Sequence, residues 1–210
     1  MLKTFKNHQS EKRYFHKQML AFCQRRDQNT PKGSVVFLGD SHIQGLCTCV
    51  IACPSVNLGI GGETVSDLSN RISSYSSLPE SRAVVIASGV NDLMQGANPN
   101  QVVSRLLKLL ENLPKKVPVF LNLLFKVDES ASFSLAGLNR KIASTNILIK
   151  KKIRVLKRNT HIFVLDPNQA LESPDGLPKK FHCGDGIHLN AKGYRAWTKI
   201  LKERLRQSGT

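Results

Sequence analysis

Two hydrophobic periods alternate along the chain. Short apolar runs predict five strands, at Val35–Leu38, Ser55–Leu58, Ala83–Ala87, Val117–Phe125 and His161–Leu165. Between the strands, apolar residues recur every three or four positions, which predicts helices at 64–75, 101–113 and 135–158 and a last helix beginning near Asn190. Repeated strand–helix alternation predicts a single α/β domain, in which a five-stranded parallel sheet lies between two layers of helices (α/β/α).

The first 32 residues differ in pattern from the remainder of the chain. Residues 11–26 have the spacing of a basic helix, and the polar stretch "DQNTPKG" (27–33) is typical of a connector. We therefore predict a basic, helical N-terminal extension at 1–32 and the α/β domain at 33–210.

The charge of the chain is strongly positive, with 31 Lys and Arg against 15 Asp and Glu and a formal net charge of +16 over 210 residues. Acidic residues nevertheless outnumber basic ones within 33–98, so the excess lies in the flanking segments. Such a balance suggests nucleic acid or an anionic membrane surface as a partner. No aromatic-rich RNA motif or DNA-binding motif is visible, which disfavours nucleic acid. Peripheral contact with an anionic membrane stays a prediction, and the oligomeric state stays open.

Targeting signals are not apparent in the sequence. No apolar run approaches the ~18 residues of a membrane span, and the charged N-terminus lacks the apolar core of a secretory signal. The five cysteines are an odd number, and free thiols in a reducing compartment are the simplest interpretation. The sequence predicts a cytoplasmic protein, although export without a signal remains open.

Ser41 lies where the first predicted strand ends, in "FLGDSH" (37–42). A serine at the carboxyl end of a parallel strand, before a helical stretch, directs its N–H to the crevice where such sheets bind ligands. Ser is also a common helix N-cap, so Ser41 alone does not establish a nucleophile.

Three further motifs follow other predicted strands: Gly59 in "NLGIGGET", Asn91 in "SGVND", and Asp185 with His188 in "CGDGIHLN". Each has an ordinary alternative as a turn, a cap or a core residue. Because the carboxyl ends of parallel strands meet at one edge, we expect the motifs to converge. Together with Ser41 they offer a nucleophile, a base, an orienting carboxylate and two hydrogen-bond donors.

These four blocks resemble the SGNH (GDSL-type) hydrolases, which are esterases and lipases of a flavodoxin-like fold. The family is named for a Ser, a Gly, an Asn and a His, which match Ser41, Gly59, Asn91 and His188 in the right order. The resemblance covers about residues 33–200 and is nearest to bacterial members similar to platelet-activating-factor acetylhydrolase.

The resemblance implies hydrolysis of a small acyl-ester substrate through an acyl-enzyme, with no metal or organic cofactor. Ser41 would be the nucleophile, His188 the base and Asp185 the carboxylate that orients it. The oxyanion would accept hydrogen bonds from the N–H groups of Ser41 and Gly59 and from the Asn91 amide.

His42 departs from the family pattern, which more often has Ile or Leu there, so the shape of the acyl pocket is open. We do not expect His42 to be the base, because neighbouring side chains diverge and no carboxylate is obviously placed to orient it.

Two other functions stay open at this point. One is an O-acyltransferase on the same fold, in which an alcohol replaces water. The other is a non-catalytic binding module for nucleic acid or anionic lipid, for which the basic stripe would consist of Lys150, Lys151, Lys152, Arg154, Lys157 and Arg158.

Overall fold

The computed structural model describes residues 2–156, 161–171 and 176–209. The strands are Val35–Gly39 (β1), Ser55–Gly59 (β2), Ala83–Ala87 (β3), Val119–Asn122 (β4) and Ile162–Leu165 (β5). The helices are Leu2–Gln28 (α1), Ser41–Gln44 (α2), Val65–Ile72 (α3), Val90–Met94 (α4), Pro99–Glu111 (α5), Leu138–Leu156 (α6), Asn168–Leu171 (α7) and Ala191–Gln207 (α8). Single 3-10 turns lie at Thr48–Val50, Leu78–Glu80, Glu129–Ala131, Phe133–Leu135 and Lys179–Phe181.

The five strands form one parallel sheet in the order β2-β1-β3-β4-β5. This is the flavodoxin-like strand order, in which the crevice for ligands lies outside the carboxyl ends of the strands. The predicted single α/β/α domain is therefore confirmed.

Side chains alternate between two cores because successive residues of a strand point to opposite faces. Val36 and Leu38 of β1 pack into the core beneath α1, α3, α5 and α6. Val35 and Phe37 pack into the other core, where Trp197 of α8 is fully buried. Since α8 begins just after His188, this packing also fixes the end of the segment that carries His188.

β4 is shorter than the predicted run Val117–Phe125. The N–H of Leu123 still donates to the Leu165 carbonyl of β5, but from Leu124 onward asparagine side chains accept from the backbone, so the chain leaves the sheet as a buried loop. Asn146, Asn168 and Asn139 accept from the N–H groups of Leu124, Lys126 and Val127 respectively, at 2.8–2.9 Å. Hydrophobicity alone could not separate this loop from the strand.

α1 is longer than the predicted 11–26, and its C-terminal part is fixed to the rest of the domain. Cys23 is buried in the core. The Asp27 carboxylate accepts hydrogen bonds from the N–H and hydroxyl groups of Ser76 and Ser77. A boundary at residue 32 remains a prediction.

Within the described ranges, no helix has the length and apolar character needed to cross a membrane.

Candidate active site

The nucleophile turn, residues 39–42, is built by backbone packing. Gly39 has φ +155°, and a Cβ added to it would lie 2.0 Å from the carbonyl oxygen of Ala87 on β3, so only glycine fits. Asp40 is the N-cap of α2, because its Oδ1 accepts the N–H of His42 at 3.0 Å. Since Asp40 takes the capping role, the Ser41 hydroxyl remains available at the first helical position.

Ser41, His188 and Asp185 form one continuous hydrogen-bonded chain. The Ser41 hydroxyl lies 2.9 Å from Nε2 of His188. Nδ1 of His188 lies 2.5 Å from Oδ2 of Asp185. A carboxylate only accepts hydrogen bonds, so Nδ1 carries the ring proton and Nε2 is the acceptor that faces Ser41. This is the arrangement of a general base that is oriented by a carboxylate.

Asp185 is held as a carboxylate by its surroundings. Partial burial on its own raises its pKa, but the hydrogen bond from the His188 ring and those from the N–H groups of Ile187 and His188 outweigh burial and lower the pKa to about 2. Asp185 is therefore ionised at neutral pH and can stabilise a positively charged His188 ring.

The histidine loop, residues 183–188, is supported by a second histidine. Nδ1 of His182 accepts the N–H groups of Gly184 and Gly186 at 3.0 and 3.1 Å. Nε2 of this buried ring donates to Oδ2 of Asp128 at 3.2 Å. The Asp128 N–H in turn donates to the Gly186 carbonyl at 2.8 Å.

His182 and Asp128 were missed by sequence reasoning. They lie 54 positions apart and belong to no recognisable motif, so the sequence carries no signal that pairs them.

His42 joins the nucleophile turn to the histidine loop. It is buried, its ring stacks on Phe125 at a centroid distance of 4.6 Å, and its Nε2 donates to the Ile187 carbonyl at 3.1 Å. The expectation that no carboxylate is placed to orient His42 is wrong, since its Nδ1 lies 3.4 Å from Oδ1 of Asp40. The ring nitrogens of His42 thus face Asp40 and Ile187, whereas the ring nitrogen that contacts the Ser41 hydroxyl is Nε2 of His188.

Gly59 does not offer a free donor, which corrects the expectation for the oxyanion site. Its N–H donates to Oδ1 of Asn57 at 2.9 Å, inside the protein. A Cβ added to Gly59 would lie 2.4 Å from the backbone nitrogen of Gln44, so this glycine permits close packing of β2 against α2. The loop that follows β2 contains two more glycines, Gly61 and Gly62.

Gly62 is the glycine of this loop whose N–H lacks an acceptor among the described residues. The N–H of Gly61 donates to Oε1 of Gln44 at 2.5 Å. The loop lies beside the nucleophile, because a Cβ added to Gly61 would be 3.7 Å from Cβ of Ser41.

Asn91, at the start of α4, contacts the same loop. Its Nδ2 donates one hydrogen to the Glu63 carbonyl at 2.9 Å, so the other amide hydrogen is left for a further acceptor.

The Glu63 side chain is 1% exposed and is paired at 2.8 Å with both Arg71 and His16. Burial raises the pKa of Glu63, against the lowering effect of Arg71 and then His16.

The predicted basic stripe is only partly described, because Lys157 and Arg158 lie outside the described residues. Within the described part of the stripe, Lys150 pairs with Asp166 at 2.7 Å. The other described members of the stripe, Lys151, Lys152 and Arg154, are exposed on α6.

The five cysteines are free thiols. Over the part of the chain that the structure describes, no three His, Cys, Asp or Glu side chains are grouped to hold a metal ion.

Comparison with known proteins matches residues 37–196 to the model of the GDSL-like lipase/acylhydrolase family. No curated protein matches the chain. Among solved structures, a Streptococcus pneumonia protein provisionally described as a platelet activating factor is 17% identical and aligns with a TM-score of 0.84 over 98% of this chain and 99% of its own. A G-D-S-L lipolytic protein from Veillonella parvula is 22% identical, with a TM-score of 0.69 over 83% of this chain and 98% of its own.

These structural similarities, at such low identity, show the fold. The family match spans most of the chain and includes the blocks of Ser41, Asn91 and His188. The resemblance inferred from the four sequence blocks is thus confirmed, and the chain belongs to the GDSL-like lipase/acylhydrolase family and is a carboxylic-ester hydrolase.

Proposed function

We propose that this protein cleaves acyl esters through a Ser41–His188–Asp185 triad and an acyl-enzyme. The observation that supports the proposal most directly is the unbroken hydrogen-bonded chain, 2.9 Å from Ser41 Oγ to His188 Nε2 and 2.5 Å from His188 Nδ1 to Asp185 Oδ2. Nucleophile, base and orienting carboxylate have the relation that acyl transfer requires.

In the first half-reaction, Nε2 of His188 takes the hydroxyl proton as Ser41 Oγ bonds to the ester carbonyl carbon. His188 then gives this proton to the alcohol oxygen as the carbon–oxygen bond breaks, so a neutral alcohol leaves. In the second half-reaction water attacks the acyl-enzyme with His188 again as base, and Ser41 recovers its proton. Asp185 stays ionised throughout and holds the ring.

The developing oxyanion needs donors that are not already used. We assign this role to the Ser41 N–H, the second amide hydrogen of Asn91 and the N–H of Gly62, which takes the place expected for Gly59. The support is that the Gly62 N–H has no acceptor within the described residues, whereas the Gly59 N–H is bonded to Asn57. One such donor typically contributes about 2.7–4 kcal/mol to transition-state stabilisation.

The decisive test is turnover of 4-nitrophenyl acetate by Ser41→Ala and His188→Ala. Each variant is expected to lose nearly all activity, by a factor on the order of 10⁶, because nucleophile and base act as a unit. Ser104→Ala and His161→Ala, at exposed positions away from the turn, are the matched controls and should keep wild-type turnover. Wild-type turnover by Ser41→Ala would show that another group is the nucleophile.

A further inference from the structure

A groove of about 460 Å³ lies between α1 and the loop after β2. α1 contributes three side chains to it, and the loop contributes the glycines beside the nucleophile. Its lining consists of Arg13, Phe15, His16, Gly61, Gly62, Glu63, Asp67 and Gln95. Its volume falls in the range of ligand-binding pockets in proteins, about 300–1,000 Å³.

The groove has fixed walls. His16 donates to the Glu63 carboxylate at 2.8 Å, and Glu63 is itself anchored by Arg71. This contact joins α1 to the loop, and the burial of Cys23 and Asp27 fixes the same helix further along. The groove is therefore part of the folded domain and does not depend on a substrate to form.

The free surface of the groove is mainly apolar, and the side chains of Arg13 and Gln95 add polar groups to its lining. Its two carboxylates are already engaged, Glu63 by His16 and Arg71, and Asp67 by the N–H and hydroxyl of Thr64. The phenyl ring of Phe15, which is 49% exposed, supplies most of the apolar contact surface, beside the two glycines, which have no side chains. Such a surface favours an aliphatic group over a polar one.

The position of the groove relative to His188 indicates which portion of the ester, the acyl chain or the alcohol, the groove would bind. The leaving alcohol oxygen must face Nε2 of His188, because that nitrogen returns its proton. His188 lies on the loop that follows β5, whereas Gly61 and Gly62 follow β2 at the opposite edge of the sheet. With the alcohol portion directed to His188, the acyl chain can extend to the other side of Ser41, past the loop after β2 and into the groove.

We propose that this groove is the acyl-chain subsite and that Phe15, on the N-terminal helix, sets a preference for medium-length aliphatic acyl groups over acetyl. This inference rests on the proposed function, since it names the substrate class of the same site. It also gives α1 a role in substrate selection.

The test compares kcat/KM for 4-nitrophenyl hexanoate and 4-nitrophenyl acetate in the full-length chain. Phe15→Ala is expected to lower the hexanoate-to-acetate ratio about tenfold, mainly through KM, because the ring contacts the chain in both ground and transition states. Phe15→Leu keeps an apolar side chain and should restore most of the ratio. Phe22→Ala, also an exposed phenylalanine of α1 but outside the groove, is the matched control and should leave the ratio unchanged.

The outcomes separate this inference from the proposed function. An unchanged ratio in Phe15→Ala, with acetate hydrolysis still abolished by Ser41→Ala, would overturn the acyl-chain subsite and leave the triad standing. Absence of hydrolysis of either ester by the wild-type protein would overturn both. Ala is a strong helix former, so Phe15→Ala is expected to fold, and its circular dichroism spectrum checks this.

Discussion

The nucleophile turn and the histidine loop lie next to each other, but different kinds of interaction hold them in place. The turn follows a fully buried strand, and its path is imposed by the close contact of Gly39 with β3. The loop is exposed at residues 183–185 and is held instead by hydrogen bonds to His182 and Asp128. Packing sets the position of Ser41, and a small polar network sets the position of His188.

This difference matters because the two kinds of support respond differently to substitution. A close-packed interior cannot accept even one added methyl group without distortion. A hydrogen bond contributes a net ~1 kcal/mol, so losing one loosens a loop without unfolding the domain. We expect changes in the turn to alter folding and changes in the loop to alter catalysis.

The strongest test of this difference between the turn and the loop is a pair of glycine substitutions. Gly39→Ala places a Cβ 2.0 Å from the Ala87 carbonyl oxygen, and we expect it to lower the free energy of unfolding by more than about 4 kcal/mol. Gly184→Ala, in the histidine loop, also has a positive φ but meets no atom within 4 Å, so only backbone strain of about 1–2 kcal/mol is expected. Urea denaturation measures both. Equal losses would contradict the comparison.

Asn91→Ala tests whether the nucleophile side also supplies the oxyanion donors. We expect kcat to fall about 10²–10³-fold with little change in KM, because the amide is assigned to the oxyanion and not to the bound ester. Since Asn91 also donates to the Glu63 carbonyl, the melting temperature of the variant is measured alongside. A change in KM alone would make Asn91 a substrate-binding residue.

Features that depend on residues close together in sequence could be predicted, whereas contacts between residues far apart in sequence could not. Strand ends are marked locally by glycines and polar residues, so the sheet and the blocks of Ser41, Asn91 and His188 could be located. Which glycine N–H is left free depends on side-chain placement that spacing does not encode, since Asn57 accepts from Gly59 and Gln44 accepts from Gly61. The loop beyond β4 escaped prediction because distant asparagines replace its strand partners.

Substitutions at His182 test the polar support of the histidine loop. His182→Leu removes the acceptor for the N–H groups of Gly184 and Gly186, and we expect roughly a tenfold loss of kcat with KM nearly unchanged. His182→Asn can place its amide oxygen, bonded to Cγ, where Nδ1 lies, so it should recover part of kcat. His182→Gln places its amide further out, toward Asp128, and serves as the matched control.

The relative recovery of kcat in His182→Asn and His182→Gln distinguishes the two sets of contacts that the His182 ring makes. Partial recovery by Asn but not by Gln would assign the effect to the two glycine N–H groups. Better recovery by Gln would assign it to the contact with Asp128. If His182→Leu kept wild-type kcat, the loop would not depend on His182 for its catalytic position.

The smallest expected effect is the difference in titration between Asp185 of the histidine loop and Glu63 of the loop after β2, which lies beside the nucleophile turn. Burial alone would raise the pKa of Asp185, but hydrogen bonds from the His188 ring and the loop N–H groups lower it from 3.8 to about 2, whereas burial raises the pKa of Glu63 above 4.5. A lowered folded-state pKa contributes stability above pH 3.8 that is lost as pH falls toward 2. A raised folded-state pKa favours folding at acid pH, and that contribution to stability is lost as the pH rises through the folded-state pKa.

In an NMR titration of the side-chain carboxyl carbons, Glu63 should therefore take up its proton at higher pH than Asp185. Asp185→Asn should reduce the acid-side loss of stability between pH 3.8 and about 2, while Glu63→Gln should leave that loss in place. Part of the loss should remain in Asp185→Asn, because the hydrogen bond from Ser130 lowers the pKa of Asp128 as well. Titration in the reverse order would mean that burial, and not the hydrogen bonds of the loop, controls Asp185.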